Sequence, residues 1–129
     1  MPKQIIQPDG LNVPGPTRSY SHAVRSGNLL FLAGQTGNDA QPQPGMGRFE
    51  AQTRRVFERM RMILEAAGGS LDNLVAMTVF ITDIRLGDEF VRLRGEILER
   101  DFPASALIGV SHLTNTEALL EIQAVAALE

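Results

Sequence analysis

The stretch Leu119 to Leu128, LLEIQAVAAL, decides the fold because it reads as a strand that is apolar on both faces. Two sets of side chains alternate along it: Leu120, Ile122, Ala124 and Ala126 on one face, and Leu119, Glu121, Gln123 and Val125 on the other. A strand with two apolar faces is typically covered on both sides. We therefore predict a sheet whose first face packs against helices of this chain and whose second face packs against another subunit.

The stretches before this strand predict one small α/β domain over residues 1–129. They indicate a weak strand at Lys3 to Ile6, a hairpin from Val24 to Leu32 turning at Gly27-Asn28, a helix from Ala51 to Ala67, a strand from Leu74 to Thr82 buried on both faces, a second helix capped by Asp83, and a strand from Ser105 to Val110. The segment Asn38 to Arg48, rich in proline and glycine, is predicted to be a loop. Two strand–helix–strand crossovers predict parallel neighbours in a mixed sheet of about four to six strands, with both helices on one face.

Composition excludes several classes of function. Because the chain has no cysteine, it has no disulfide, thiolate nucleophile or zinc–thiolate site. Asp and Glu outnumber Lys and Arg by 15 to 12, and there is one tyrosine and no tryptophan, so we expect no nucleic-acid partner. The basic residues Arg54 to Arg61 are interleaved with glutamates, as on the solvated face of a helix. No apolar run approaches the length of a membrane span and no signal peptide begins the chain, which predicts a cytoplasmic protein without membrane contact.

Glu121 is the strongest candidate for chemistry, because an isolated carboxylate is costly in a strand that is apolar on both faces. Burial raises the pKa of a carboxyl group, which suits a group that moves a proton or holds a water near neutral pH. The alternative, which the residues alone favour, is a glutamate at a subunit interface satisfied by backbone amides or a basic partner. Gln123 shares its face and is either a second site group or a partner without a chemical role.

Other candidate residues carry less information. His22 and His112 lack the spacing of a metal site, and we interpret both as surface or turn histidines. Phosphate-binding glycine loops and the nucleophile elbow of hydrolases are absent, so nucleotide binding and covalent catalysis have no support. The small residues Ala33 and Gly34 end a predicted strand, where they permit close approach of a backbone or a ligand.

Four stretches resemble, in order and spacing, the motifs of the Rid (YjgF/L-PSP) family. They are Arg18 to Gln35, similar to the family opening "PYS-A-…-GN-ΦΦ-SGQ"; Glu65 to Asp83, similar to "EAAG-…-TVFΦ-D"; Phe102 to Ala106, similar to "FPAR"; and Leu120 to Ala126, similar to "ΦEIEΦΦA". Each stretch alone is weak, but four in sequence are specific, and together they run from about Tyr20 to the end of the chain.

The resemblance implies a chorismate-mutase-like α/β (α+β) subunit with a mixed six-stranded sheet and two helices on one face. It implies a homotrimer with a central barrel and three clefts between subunits, and a small molecule as partner. The implied reaction is the hydrolysis of a reactive enamine or imine, such as 2-aminoacrylate, to a keto acid and ammonia. That chemistry requires substrate positioning, one water and a proton carrier, and no metal or organic cofactor.

The resemblance also implies roles for individual residues. Glu121 matches the glutamate that positions the water, Tyr20 matches the tyrosine of the cleft, and Gly34 matches a glycine whose backbone amide faces the substrate. The resemblance places further residues at the substrate: Ala33, Gln35, Ser105 and Ala106 within the matched motifs, and Leu107 and Arg94 outside them.

Three departures from the family pattern bear on activity. Ser105 stands where active deaminases of the family carry the arginine that grips the substrate carboxylate, and Ala33 replaces the serine of "SGQ". In the second helix, Val91 and Arg94 replace an asparagine and a tyrosine. Charge-assisted hydrogen bonds contribute roughly 1.5–3 kcal/mol each, so losing the arginine should weaken productive binding of an amino-acid-derived imine about a hundredfold or more. Arg18, Arg92 or Arg94 is a possible source of replacement charge, although an arginine in another plane is not an equivalent anchor.

The sequence leaves three candidate functions for this chain. The first is a hydrolytic deaminase, acting on a C–N bond, whose substrate is non-standard because position 105 is serine. The second is a non-catalytic small-molecule-binding or regulatory trimer that keeps the cleft. The third and most remote is an endoribonuclease, which the acidic composition and the scarcity of aromatic residues disfavour.

Overall fold

The computed structural model describes residues 2–14 and 18–129, which form one mixed sheet and two long helices. The strands are β1 (Gln4–Ile6), β2 (Ala23–Ser26), β3 (Leu29–Thr36), β4 (Leu74–Ile81), β5 (Ala104–Gly109) and β6 (Leu120–Ala127). The helices are α1 (Arg48–Ala66) and α2 (Gly87–Leu98), and short 3-10 turns cover Leu71–Asn73 and Ile84–Leu86. The predicted order of strands and helices is therefore confirmed.

The C-terminal strand lies in the middle of the six-stranded sheet, whose order is β1-β2-β3-β6-β4-β5. It pairs antiparallel with β3 on one side and with β4 on the other. The prediction of parallel neighbours is confirmed for β4 and β5, which α2 connects. It was wrong for the crossover through α1, because β6 separates β3 from β4 although these two strands run in the same direction.

Both helices cover the same face of the sheet, and the core lies between them and the strands. The apolar stripe of α1, which includes Val56, Met60, Ile63 and Leu64, is fully buried, and so are Phe90 and Leu93 of α2. The rings of Phe57 and Phe90 stack with their centroids 6.3 Å apart, so the helices also pack against each other. Gly68, at a φ of +85°, follows the end of α1, as the glycine pair at this position predicts.

Two boundaries of the helical segments differ from the sequence prediction. Helix α1 begins at Arg48, within the segment that was predicted to be a loop. Asp83 does cap a turn, since its side chain accepts a hydrogen bond from the backbone N–H of Arg85, but it caps the 3-10 turn before α2 and not α2 itself. None of the helices in the described part of the chain is long and apolar enough to span a membrane.

The opposite face of the sheet is apolar and uncovered within one chain. Phe31 is 45% exposed and Val75 is 46% exposed, and Leu29 and Ile108 on the same face are also exposed. Strand β4 was predicted to be buried on both faces, but in a single chain only Leu74, Met77, Val79 and Ile81 are buried. The difference arises because nothing in the described part of this chain packs on that face, as the sequence prediction of a partner subunit anticipates.

Candidate functional site

A cavity of about 840 Å³ opens on the uncovered face where β3 meets β6. Four residues that the sequence singled out lie in its wall: Tyr20, Ala33, Gly34 and Glu121. Gln123 and Arg18, which the sequence offered as secondary candidates, line it as well. The loop before β6 closes one side with Thr114, Asn115 and Thr116. The cavity therefore joins residues of the first third of the chain with residues near its end.

A bulge in β3 shapes the floor of this cavity. The pairing of Leu32 with Ala124 and of Gln35 with Ile122 leaves Ala33 and Gly34 opposite the single residue Gln123. Because of this extra residue, Leu32 and Gln35 both point to the buried face, while Ala33 and Gly34 line the cavity. The small residues were predicted to permit close approach of a backbone or a ligand; in the described chain, a side chain approaches Gly34.

The group that approaches Gly34 is the carboxylate of Glu121. A Cβ atom at Gly34 would lie 2.7 Å from Cδ of Glu121 and 3.0 Å from Cγ, and closer still to Oε2. Only glycine leaves room for the Glu121 side chain in this position, because ordinary carbon contacts begin at 3.4 Å. The bulge and the glycine thus determine where the carboxylate lies.

Glu121 is half-buried and has no hydrogen-bonding or ionic partner among residues 2–14 and 18–129. Burial raises the pKa of its carboxyl group above the ordinary value. The alternative, a glutamate satisfied at a subunit interface by backbone amides or a basic partner, would require those groups to come from another subunit. A half-buried acid without a partner, facing a cavity, is a typical arrangement for a proton carrier.

A row of polar groups lies beneath the cavity, on the buried face of β3. Arg59 Nε donates to Gln35 Oε1 over 3.1 Å, and Gln35 Nε2 lies 3.3 Å from His22 Nδ1. Because arginine is always a donor, this contact fixes the orientation of the Gln35 amide, so that Nδ1 of His22 accepts and Nε2 donates to the Asn12 carbonyl over 2.7 Å. The row therefore has a single direction of hydrogen bonding.

This row corrects two sequence interpretations. His22 was predicted to be a surface or turn histidine, but it is only 4% exposed, because the backbone of Ala33 and the Gln35 side chain hold it against the sheet. Arg59 was assigned to a solvated helix face, but it turns toward the sheet and contacts both Gln35 and Asp39. His112 is exposed, as predicted.

Gln35, predicted to be at the substrate, is 2% exposed and lies in this row beneath the cavity. Its side chain supports the bulge by donating to the Ala33 carbonyl. It is not part of the cavity wall.

Ser105, Ala106, Leu107 and Arg94 form a second group, away from the cavity. The first three lie on the edge strand β5, and β4 separates that strand from β6. Arg94 of α2 donates from Nη1 to Ser105 Oγ over 2.6 Å, and its guanidinium lies 5.1 Å from the ring centroid of Phe90. Partial burial lowers the pKa of Arg94. Within one chain, the predicted substrate-binding residues are thus divided between two places.

Sequence reasoning missed Thr36 at the end of β3, the loop residues Thr114 to Thr116, and the position of Arg59. The run Thr114-Asn115-Thr116-Glu117 carries a turn signal, and Asn115 Oδ1 does accept from the backbone N–H of Glu117. No feature of that run, however, shows that it faces Glu121. The role of Arg59 depends on a contact with a residue 24 positions earlier, which spacing along α1 cannot reveal.

Comparison with known proteins gives a consistent result. The family model described as "Endoribonuclease L-PSP" matches residues 10–128. A RutC family protein of Pyrococcus horikoshii is 37% identical over 92% of this chain and 94% of its own length. A 2-iminobutanoate/2-iminopropanoate deaminase of Dermatophagoides farinae is 28% identical over 99% of this chain and 98% of its own.

Solved structures share the fold over the whole chain. The crystal structure of a protein of unknown function from Pseudomonas aeruginosa superposes with a TM-score of 0.85 at 33% identity, and covers 99% of this chain and 94% of that one. A protein described as a conserved Rid family member from Yersinia pestis superposes with a TM-score of 0.84 at 29% identity, over 98% of this chain and all of that one. Since sequence and structure agree over nearly all residues, this chain belongs to the L-PSP endoribonuclease family, also known as the Rid family.

Proposed function

We propose that this protein is a homotrimeric hydrolytic deaminase of a small imine or enamine, with its site in a cleft between subunits. The observation that carries the proposal is the half-buried Glu121 carboxylate, which faces a cavity beside Tyr20 without a partner in the described chain. The deaminase relative supports the choice of reaction. A cytoplasmic location, predicted from the sequence, is part of the same proposal.

The chemistry assigned to Glu121 is the transfer of one proton. Water oxygen bonds to the iminium carbon while the Glu121 carboxylate accepts a proton from that water. The same proton then passes to the nitrogen of the carbinolamine and the C–N bond breaks. The remaining hydroxyl proton leaves with ammonia as ammonium, and a carbonyl compound remains. A pKa raised by burial makes the carboxylate a better base for the first step.

Tyr20 and Gly34 are assigned to binding and positioning. The Tyr20 side chain is exposed at the cavity wall, where its hydroxyl is available to a ligand. The backbone N–H of Gly34 belongs to the bulge, and the family resemblance assigns it to the substrate. The bulge removes this part of β3 from regular pairing with β6, which leaves room for a ligand to replace the partner strand.

The division of the predicted site within one chain supports a cleft between subunits. Ser105 contacts Arg94 on the helix-covered face, whereas Glu121 lines a cavity on the open face. A single small molecule cannot touch both in one chain. The exposed apolar residues Phe31, Val75 and Ile108 provide the surface on which a second copy would pack. The number of three subunits comes from the family resemblance.

A second candidate is a trimer that binds a small molecule without turning it over. The serine at position 105, where active relatives in the family pattern carry arginine, favours this alternative. The endoribonuclease function in the family's description remains disfavoured by the excess of acidic residues.

The test is ammonia and keto-acid release from 2-aminoacrylate and 2-iminobutanoate generated enzymatically in the assay. We expect the wild type to accelerate release, and Glu121→Gln to reduce kcat about 100-fold or more. Glu65→Gln is the matched control, because it removes a carboxylate from the exposed surface of α1 and should leave kcat unchanged. If wild type binds keto acids but ammonia release stays at the uncatalysed rate, the protein is a binding protein and the proposed deaminase function is wrong.

The oligomer is tested separately by light scattering coupled to size-exclusion chromatography. Three copies of the 14.1 kDa chain are expected. A Phe31→Lys variant, which places a charge on the uncovered face, should shift the population to smaller species. A wild type that elutes as a monomer at all concentrations would contradict the proposed site.

A further inference from the structure

Arg94 differs in its surroundings from the arginines of α1. Those arginines each pair with a carboxylate, as Arg54 does with Glu50 and Glu96 and Arg59 does with Asp39. Arg94 forms no ion pair with any carboxylate of residues 2–14 and 18–129, although it is half-buried. Its contacts there are the Ser105 hydroxyl, the face of the Phe90 ring and the sulfur of Met77.

These contacts fix the guanidinium and leave its charge uncompensated. The guanidinium carbon lies 5.1 Å from the centroid of the Phe90 ring, and Nη1 donates to Ser105 Oγ over 2.6 Å, so two contacts hold the group in place. The remaining N–H groups have no described acceptor. A desolvated cation with free, oriented donors gains most from an anion that accepts two hydrogen bonds at once.

Ser105 adds a donor to the same place. Because its oxygen accepts from Arg94, its own hydroxyl hydrogen is free to donate elsewhere. The pair therefore presents two kinds of donor side by side at the exposed edge strand β5. A small carboxylate, planar and with four lone pairs, fits that combination.

We infer that Arg94, held by Ser105 and Phe90, is the residue of this protein that anchors the carboxylate of the ligand. The inference rests on the proposed function, since it requires the Arg94–Ser105 pair of one subunit to face the Glu121 cavity of the next. Arg94 thereby provides, from α2, the positive charge that position 105 lacks. Of the three arginines considered from the sequence, Arg92 is excluded because it pairs with Glu96 over 2.5 Å. Arg18 lines the cavity that contains Glu121, but it is exposed, whereas Arg94 is partly buried and is held by Ser105 and Phe90.

The experiment measures binding of 2-oxobutanoate, a stable product-class ligand, by isothermal titration calorimetry. Wild type is compared with Arg94→Gln, and Arg92→Gln is the matched control on the same helix. We expect Arg94→Gln to weaken binding about tenfold to a hundredfold and Arg92→Gln to change it less than twofold. Affinity for 2-butanone, which lacks the carboxylate, should be equal in all three proteins.

A relocation of the charge strengthens the test. Ser105→Arg alone places two guanidinium groups together, and we expect it to bind 2-oxobutanoate no better than wild type. The double variant Arg94→Gln, Ser105→Arg should bind 2-oxobutanoate at least tenfold more tightly than Arg94→Gln alone. That recovery would also show that glutamine at position 94 is compatible with a folded protein.

Failure of this inference is distinguishable from failure of the proposed function. If wild type binds 2-oxobutanoate through Arg94 but does not hydrolyse imines, the inference is supported and the proposed deaminase activity is wrong. Turnover with equal KM in wild type and Arg94→Gln overturns the inference and leaves the deaminase. A wild type that does not bind 2-oxobutanoate also overturns it.

Discussion

Gly34→Ala tests whether the bulge exists to place the Glu121 carboxylate. The added methyl would lie 2.7 Å from Cδ and 3.0 Å from Cγ of Glu121, below the 3.4 Å at which ordinary contacts begin. The backbone of Gly34 does not require glycine, because its φ is not positive. The whole effect of the substitution therefore falls on the position of the Glu121 side chain.

The expected result is a loss of activity with little loss of stability. Glu121 lines an open cavity, so its flexible side chain can swing away from the methyl group at a cost of less than about 1 kcal/mol, below the usual 1–3 kcal/mol for overpacking. The carboxylate would then be displaced by about 1 Å or more, a misplacement that costs on the order of a hundredfold in rate. We expect kcat for 2-iminobutanoate to fall by that factor.

The assay pairs ammonia release with urea denaturation in a double-mutant cycle. Gly34→Ala should have no further effect on kcat in a Glu121→Gln background, because the displaced group no longer acts there as a base. Gly34→Ala with wild-type kcat would refute the reasoning. So would an unchanged hundredfold penalty in the Glu121→Gln background.

Three further predictions concern stability and pH. Gly37→Ala would place a methyl group 2.8 Å from the backbone carbonyl carbon of Gln52 in α1, which cannot swing away, so the free energy of unfolding in urea should fall by about 1–3 kcal/mol. Gly95→Ala meets no atom within 4 Å, and in the interior of α2 it should raise that free energy by about 0.5–1 kcal/mol; a decrease would show that this face of α2 is covered in the oligomer. Because burial raises the pKa of Glu121, the folded chain binds the carboxyl proton more readily than the unfolded chain does. Proton binding therefore contributes to stability below the unfolded pKa, and this contribution is lost as pH rises through the folded pKa. Glu121→Gln should therefore gain in Tm relative to wild type as pH rises through the folded pKa of Glu121, and a difference in Tm that stays constant with pH would contradict the raised pKa.

The helices and strands could be predicted because their signals are local. The stripe of Val56, Met60, Ile63 and Leu64 has helical spacing, and the turn at Gly27 has the positive φ that its hairpin requires. The position of β6 between β3 and β4 could not be predicted in this way. The pairing of β3 with β6 depends on contacts between residues about 90 positions apart, such as Leu32 with Ala124. In addition, a crossover helix is equally compatible with adjacent strands and with strands that a third strand separates.

The candidate site was predictable where one residue contradicts its surroundings. Glu121 is identifiable because a carboxylate is out of place in an apolar strand, and Gly34 because small residues at the end of an apolar strand need a reason. His22 and Arg59 give no such signal. A histidine in a loop and an arginine among glutamates on a helix are ordinary in sequence, and only their shared contact with Gln35 shows that both are structural.

The proposed oligomer would give the uncovered face and the divided site one physical explanation. Ser105 is separated from Glu121 by two strand spacings of about 4.8 Å each and by a register offset of about three residues at about 3.3 Å each. The two residues therefore lie on the order of 14 Å apart, on opposite faces of the sheet. No rearrangement within β4 could bring them together without breaking the sheet. Packing a second copy on the face of Phe31 and Val75 buries exposed apolar surface, and it is also the step by which an edge strand from one chain can reach the cavity of another. On this account, the association that stabilises the subunit also completes its site, so selection for one maintains the other.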